Sequence, residues 1–436
     1  MNVTINKETN DKHFIANYKN VKLQLNENDE YEVAGLIYEQ STTALIPNYY
    51  NGKKVTLIKE NAFISNYSLQ SIKIPENITQ IGLCAFWGCT SLTDFFVDSN
   101  NEYFQSIDGS LYSKDATILH QYALAKKDTL FKIPEGVVTI GPYAFSYSQY
   151  LITLRIPNSV TTIEPYAFAY NISLNKVIFE ENSNLTTINE NAFVECFNLT
   201  NINLQDKLTT IQKYAFWNCS NLLSINIFQN IEYIGIKAFL GCSNLQYNIY
   251  NNLKYLGNKS NPYLVLIDVN DYNMTNCTIH KDTKLITPCA FSNKINVSHI
   301  DVEENSQYLK SIDGTLYTKD EKTLIKYAPG NKETDFITPS TITTIGEYAF
   351  LEAHNLENVI ITNNVTTIQD FAFNNCHKLS NIYIPLSVEN VGMYIFYLSI
   401  GVDIYCEAPS KPIGWDEKWE DGRYTGIHWN YTKENE

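Results

Sequence analysis

The dipeptide Ala-Phe returns along this chain at an almost fixed step, and no other feature restricts the fold as strongly. It stands at Ala62-Phe63, Ala85-Phe86, Ala144-Phe145, Ala167-Phe168, Ala192-Phe193, Ala215-Phe216, Ala238-Phe239, Ala290-Phe291, Ala349-Phe350 and Ala372-Phe373. Ile395-Phe396 is an eleventh, edited copy. Successive Phe residues lie 23, 59, 23, 25, 23, 23, 52, 59, 23 and 23 positions apart. A period of this length, held along the chain, is the mark of a solenoid whose coils contact only their neighbours.

The rest of each unit keeps phase with its Phe. Five residues before it stands Ile or Val, from Ile58 and Ile81 to Ile368 and Val391. Eight before it stands another apolar residue, such as Val55, Val160 or Leu208, with Thr283 the one exception. Six after it stands Leu or Val, for example Leu69, Leu174 or Val297. Pairs at nine and eleven after it, such as Leu154/Ile156 and Ile382/Ile384, alternate with polar residues. That alternation predicts a half-buried strand. The short β-branched Val-Thr-Thr-Ile stretch predicts a second one. Pro75, Pro157 and Pro385 follow the first strand, where a residue without an N–H ends the ladder.

The string Ile-(Gly/Glu/Gln)-x-x-Ala-Phe-x-x-Cys-x-x-Leu-x-x-Ile-x-Ile-Pro, as it stands over Ile211–Leu222 and Ile368–Pro385, resembles the BspA-like, treponemal-type leucine-rich repeats. The likeness runs from about Tyr31 to the C-terminus. It implies a mostly β leucine-rich-repeat solenoid of about eleven 23-residue turns with β-hairpin inserts. It also implies a surface-associated adhesion or host-interaction role in a microbe. In that family a segment like Tyr31–Tyr38 leads into the first repeat, and one like Pro412–Trp419 closes the last.

The expected layout has three parts. Residues 1–54 form a polar leader and a β cap, residues 55–404 the solenoid, and residues 405–436 a Trp-rich cap. Inserts fall near 98–133, 250–280 and 303–338. Two of them carry Ser-Ile-Asp-Gly-(Ser/Thr)-Leu-Tyr, at Ser106–Tyr112 and Ser311–Tyr317, and Asp-Gly between apolar runs predicts a tight hairpin. Each insert is expected to widen one turn without breaking the stack. Asp108 and Asp313 are read as turn residues, since the regularly spaced oxygen donors of a calcium loop are missing. Asn248 falls where Ile is expected and predicts a local irregularity.

Net charge is −15, from 32 Lys and Arg against 47 Asp and Glu. That balance argues against nucleic acid, which selects a basic stripe, and against anionic membranes. No apolar run approaches the ~20 residues of a membrane helix, so no membrane insertion is expected. The polar first twenty residues predict no signal peptide. An exported chain lacking its leader and a cytosolic chain both fit that text. Extracellular or cell-surface placement is the expectation and a cytoplasmic one the alternative.

Nine cysteines carry no Cys-x-x-Cys. Cys89, Cys196, Cys219, Cys242 and Cys376 each follow their Phe by three, and Cys84 and Cys289 stand just before an Ala. That phasing predicts small buried thiols in the core rather than disulfides or zinc ligands. The seven His residues are scattered. No Walker, G-x-S-x-G or H-E-x-x-H string is present. No catalytic residue, metal or cofactor is expected. An enzyme remains as a third alternative, with a polar cluster of Asp108, His120 and Tyr122 on an insert. The Asn-x-Ser/Thr triplets, Asn77 and Asn364 among them, are read as chance in an Asn-rich chain.

The positions eight and ten after each Phe do not follow the apolar consensus, as expected of an outward strand face. Lys73, Phe96, Arg155, Ile178, Tyr247, Ile249, His299, Ile360 and Tyr383 are the candidate partner contacts on it. A non-enzymatic scaffold binding a protein or a surface glycan through a continuous sheet face is the expected function. A cytosolic scaffold is the alternative.

Overall fold

The computed structural model describes residues 15–420 and 424–432; most of the expected polar leader, residues 1–14, lies outside them. The described residues hold 38 short strands and no helix. The chain forms two compact units, Met1–Gln246 and Tyr247–Glu436.

Within each unit the coils stack through their Phe residues. The Phe193 N–H donates to the Ala215 carbonyl of the next coil at 2.8 Å, and Phe350 does the same to Ala372 at 2.7 Å. The rings lie over one another: Phe168–Phe193 at 4.9 Å, Phe193–Phe216 at 5.2 Å and Phe350–Phe373 at 4.7 Å. Phe145, Phe168, Phe193, Phe216, Phe350 and Phe373 are fully buried. The Ala before each of these Phe residues is buried, and its carbonyl accepts from the N–H of the ring residue in the coil before it. The Thr-Ile strands form a parallel ladder beside this column, running Ile118–Gln121, Thr139–Ile140, Thr162–Ile163, Thr187–Ile188, Thr210–Ile211 and Tyr233–Ile234 in the first unit.

The coils number about 17 rather than eleven. The difference arises largely in the inserts. Tyr122 lies 23 residues before Phe145 and Tyr327 lies 23 before Phe350. Both rings stack in the Phe column, Tyr122 on Phe145 at 4.9 Å and Tyr327 on Phe350 at 5.3 Å. Their N–H groups donate to Ala144 and Ala349, both at 2.8 Å. Each of these inserts is therefore a hairpin followed by a complete coil with Tyr in the Phe position. In the third, the Val269 N–H donates to Ala290 at 3.2 Å and occupies the same place.

The hairpin part behaves as its Asp-Gly predicts. Phe104–Ile107 pairs antiparallel with Ser110–Ser113, and Leu309–Ile312 with Thr315–Thr318. Asp108 and Gly109, like Asp313 and Gly314, have positive φ, as a type I′ turn requires. The expectation that inserts leave the stack unbroken needs correction for the main strand. The Phe95 N–H donates to Gly109 and the Ile300 N–H to Gly314, so the hairpin tip takes the edge where the next main strand would pair. The main-strand ladder is divided into parallel sheets of three, four, two and five strands.

Candidate partner-binding face

The outward residues sit where the alternation of the main strand puts them. Ile72 and Ile74 are buried, while Lys73 between them is exposed; Phe95 is buried, and Phe96 beside it is 56 % exposed. The divided ladder places the candidates in separate groups. Lys73 and Phe96 are paired neighbours in the three-stranded sheet. Arg155 and Ile178 are neighbours in the four-stranded one. Ile360 and Tyr383 are neighbours in the five-stranded one. They do not share one continuous sheet, because the hairpin tips interrupt it.

Two candidates need correction, and a third is crowded. Tyr247 and Ile249 are not on a main strand. Asn248–Tyr250 pairs antiparallel with Leu253–Leu256 across an Asn251-Asn252 turn whose two residues have φ of 47° and 60°. Asn248 has no apolar side chain to bury, so this segment turns back into a hairpin. Ile249 remains 51 % exposed, and the Lys254 ammonium lies 5.8 Å from the Tyr247 ring centre. His299 is on a main strand, His299–Val302, but the hairpin tip approaches its ring closely; a Cβ on Gly314 would lie 2.4 Å from its Nδ1. Its Nε2 stands 3.3 Å from Asp301.

The five-stranded sheet of the second unit is the most developed face. It runs Asp335–Ile337, Asn358–Ile360, Asn381–Ile384, Asp403–Cys406 and Gly426–His428, all parallel. Phe336, Val359, Ile382, Ile404 and Ile427 share one register and pack toward the core. The other side carries two columns. One reads Asp335, Asn358, Asn381, Asp403. The Asn358 amide donates to Asp335 at 2.8 Å, and the Asn381 amide donates to Asn358 at 2.8 Å. The Asp335 carboxyl is held below its ordinary value by hydrogen bonds from Thr334 and Asn358. The second column reads Ile337, Ile360, Tyr383, Tyr405, His428. Tyr383 stacks on Tyr405 at 4.8 Å and Tyr405 on His428 at 4.6 Å, with planes within 15°. Tyr431 leans on both tyrosines at 5.5 and 4.9 Å. An open groove of about 470 Å³ follows this column, with Ile360, Tyr383, Tyr405, Tyr431, Asn364 and Glu407 on its walls.

A scan against family models matches the BspA type leucine rich repeat region, in six copies, over residues 46–114, 138–263, 269–317 and 329–408. The chain belongs to the BspA-type leucine-rich-repeat family. Similar solved structures include the pneumococcal vaccine antigen PcpA, at 18 % identity over 95 % of this chain and 82 % of that one, with a TM-score of 0.34. A leucine-rich-repeat protein of Bacteroides ovatus is 19 % identical over 97 % of this chain and all of its own, with a TM-score of 0.33. The T. pallidum leucine-rich-repeat protein is 22 % identical over 48 % of this chain and 90 % of its own, with a TM-score of 0.33. No curated protein matches the chain.

In this BspA-type chain the phased cysteines serve the coil stack. All nine are free. Cys89, Cys196, Cys219, Cys242 and Cys376 are buried, and each S–H donates to the carbonyl of the Phe one coil back at 3.0–3.1 Å. Ser399 does the same with its hydroxyl, to Phe373 at 2.6 Å. Burial pushes the thiols of Cys89, Cys196, Cys242 and Cys376 up to about 12. The insert residues do not converge on a cleft. Tyr122 is in the ring column with its hydroxyl 3.4 Å from Asp128. Asp108 is exposed and paired with Lys126. His120 lies against Phe104 and is held below its ordinary value by burial.

Several residues of the face escaped the repeat register. Tyr405 stands nine rather than ten after Phe396, because the step from Tyr383 is 22 residues, and His428 and Tyr431 lie beyond the last counted unit. The signal that finds them is the strand period: Asp403-Ile-Tyr-Cys repeats the pattern of Asn381-Ile-Tyr-Ile. A second aromatic group lies on the turns of the first unit. Tyr143 stacks on Tyr166 at 4.9 Å and Tyr147 on Tyr170 at 4.8 Å, with Trp87 edge-on to the first rings. All four tyrosines have positive φ, at the turns that bracket the Phe column.

Proposed function

We propose that this BspA-type chain is a non-enzymatic binding scaffold, surface-associated or secreted in a microbe, whose partner docks on its main-strand faces. The partner is a protein or a surface glycan. The observation that carries this reading is the five-stranded sheet with its paired columns of hydrogen-bonded Asp and Asn and stacked aromatic rings. Its core-facing residues carry the packing, and the outward columns add contacts between neighbouring coils while staying partly open to solvent. Stacked rings are rigid, which lowers the entropy lost on docking, and aromatic residues dominate binding hot spots.

The test is capture from the native environment on immobilised chain. Tyr383→Ser with Tyr405→Ser is expected to abolish capture; the lost ring contacts lower stability by about 1–3 kcal/mol, so capture is compared at a temperature well below unfolding of either protein. Retention of capture would show that this face is not the binding face. Surface exposure is tested separately, by accessibility of the protein on intact native cells; a protein found only inside them would favour the cytosolic scaffold.

A further inference from the structure

The two larger main-strand sheets differ in charge. The four-stranded sheet of the first unit carries Lys132, Arg155 and Lys176 on its strands and no carboxylate. The five-stranded sheet of the second unit carries Asp335 and Asp403 and no Lys or Arg. The one charged residue on the wall of its groove is Glu407. His428, the nearest cationic candidate, is already 3.1 Å from Asp403. A ligand matching this face must bring positive charge to the Asp/Asn column and apolar surface to the ring column.

The spacing narrows the ligand further. The two columns are two residues apart on each strand, about 6.6–6.8 Å at ~3.3–3.4 Å per residue. An extended peptide repeats its side chains on one face at that same distance. Lying along one strand, a segment with a Lys or Arg two residues from a Leu or an aromatic would place both at once, the cation over Asp403 and the apolar group against Tyr405 and its neighbour Tyr383. The stacked rings turn their faces to each other, and a sugar ring needs an open face to stack on.

We propose that the five-stranded face of the second unit binds an extended polypeptide segment in which a basic residue stands two positions from an apolar one. This rests on the reading that the main-strand face is the binding face. Charge complementarity selects the partner, and the ring column anchors it.

The experiment uses the full chain and three probes: a synthetic peptide repeating Lys-Ser-Leu-Ser, its Glu-Ser-Leu-Ser counterpart, and cellohexaose. The Lys peptide is expected to bind, and more weakly as salt rises from about 0.05 to 0.5 M, since exposed pairs are screened. Asp403→Asn is expected to weaken it about threefold to fivefold, the loss of one exposed pair. Asp335→Asn, three strands away, is expected to give a smaller loss, through the charge of the face alone, and is the fallback if the first variant does not fold. Lys207→Gln, on an exposed turn of the first unit, is expected to change nothing. Equal binding of the two peptides, or an undiminished affinity in both Asp variants, overturns the proposal. So does binding of cellohexaose in place of the Lys peptide. If no probe binds while the Tyr383/Tyr405 variant still loses its native partner, the basic-peptide class is wrong and the face is right. If that variant keeps its partner, the face itself is wrong.

Discussion

Replacing Lys326 by Gln is expected to stabilise the second unit at neutral pH. Lys326 occupies the place that Ala takes before each Phe, and its ammonium is fully buried. It donates to the carbonyls of Tyr348 at 3.2 Å and Leu351 at 2.9 Å. Burial pulls its pKa from 10.5 down to about 8, against smaller opposing effects of Cys289, Cys376 and Glu352. At about 1.4 kcal/mol per tenfold, that difference is worth about 3 kcal/mol. The sign follows from proton counting. Between pH 8 and 10.5 the unfolded chain holds more protons at this site than the folded one, so stability rises with pH. Below pH 8 the whole deficit is felt. The other insert shows what an uncharged donor does at the same place: Gln121 donates to Tyr122 and Ala144 at 3.2 and 3.0 Å. Urea unfolding, followed by the fluorescence of Trp415, Trp419 and Trp429, is measured for both proteins from pH 7 to 10.5. Lys326→Gln is expected to gain about 2–3 kcal/mol at pH 7, with the gain vanishing toward pH 10.5. A variant less stable than wild type at pH 7, or a difference that does not change with pH, would refute the reasoning. Burial holds the Cys376 thiol at about 12 although the Lys326 charge pulls it down, so it titrates above the range measured.

Tyr327→Phe removes a buried hydroxyl that has no hydrogen-bond partner. It is expected to be neutral or to stabilise by about 1 kcal/mol in the same assay, whereas Tyr122→Phe, which loses a contact with Asp128, is not expected to gain. Thiol accessibility follows burial. Ellman's reagent at pH 8 is expected to react in the native protein with Cys84 and Cys289, the two half-buried thiols, and with the other seven only after denaturation. Rapid reaction of Cys219 or Cys376 in the native state would contradict the buried column.

Much of the fold is legible because steric demands at a coil junction admit few residues. Ala-Phe is the pair the ring column takes in most coils, a small group such as Cys fits three residues on, and Asp-Gly marks a tight hairpin. The coils within the inserts are not legible by the same rule. There the order is Gln121-Tyr122-Ala123 and Lys326-Tyr327-Ala328, so a large polar side chain stands in the Ala place and Ala follows the ring. The polar groups are tolerated because they reach neighbouring backbone carbonyls, which pattern reading does not reveal. The breaks in the main sheet are equally hidden. Phe95 and Phe131 both keep the inward alternation, although a hairpin tip takes the hydrogen bonds of one strand edge. The outward columns were legible as a departure from the apolar consensus. The aromatic end of the face was not, because Trp419 rather than Ala-Phe follows Phe396 in the stack, with the Ile395 N–H donating to it at 2.8 Å.

Residue-resolved hydrogen exchange tests the coil-on-coil account most directly. The amides of Tyr122 and Tyr327 donate to the next coil just as those of Phe145, Phe193 and Phe350 do. They are expected to exchange as slowly as the Phe amides of their own unit. If Tyr122 and Tyr327 exchange as fast as exposed loops while the Phe amides stay protected, the inserts are not coils of the stack and the account fails.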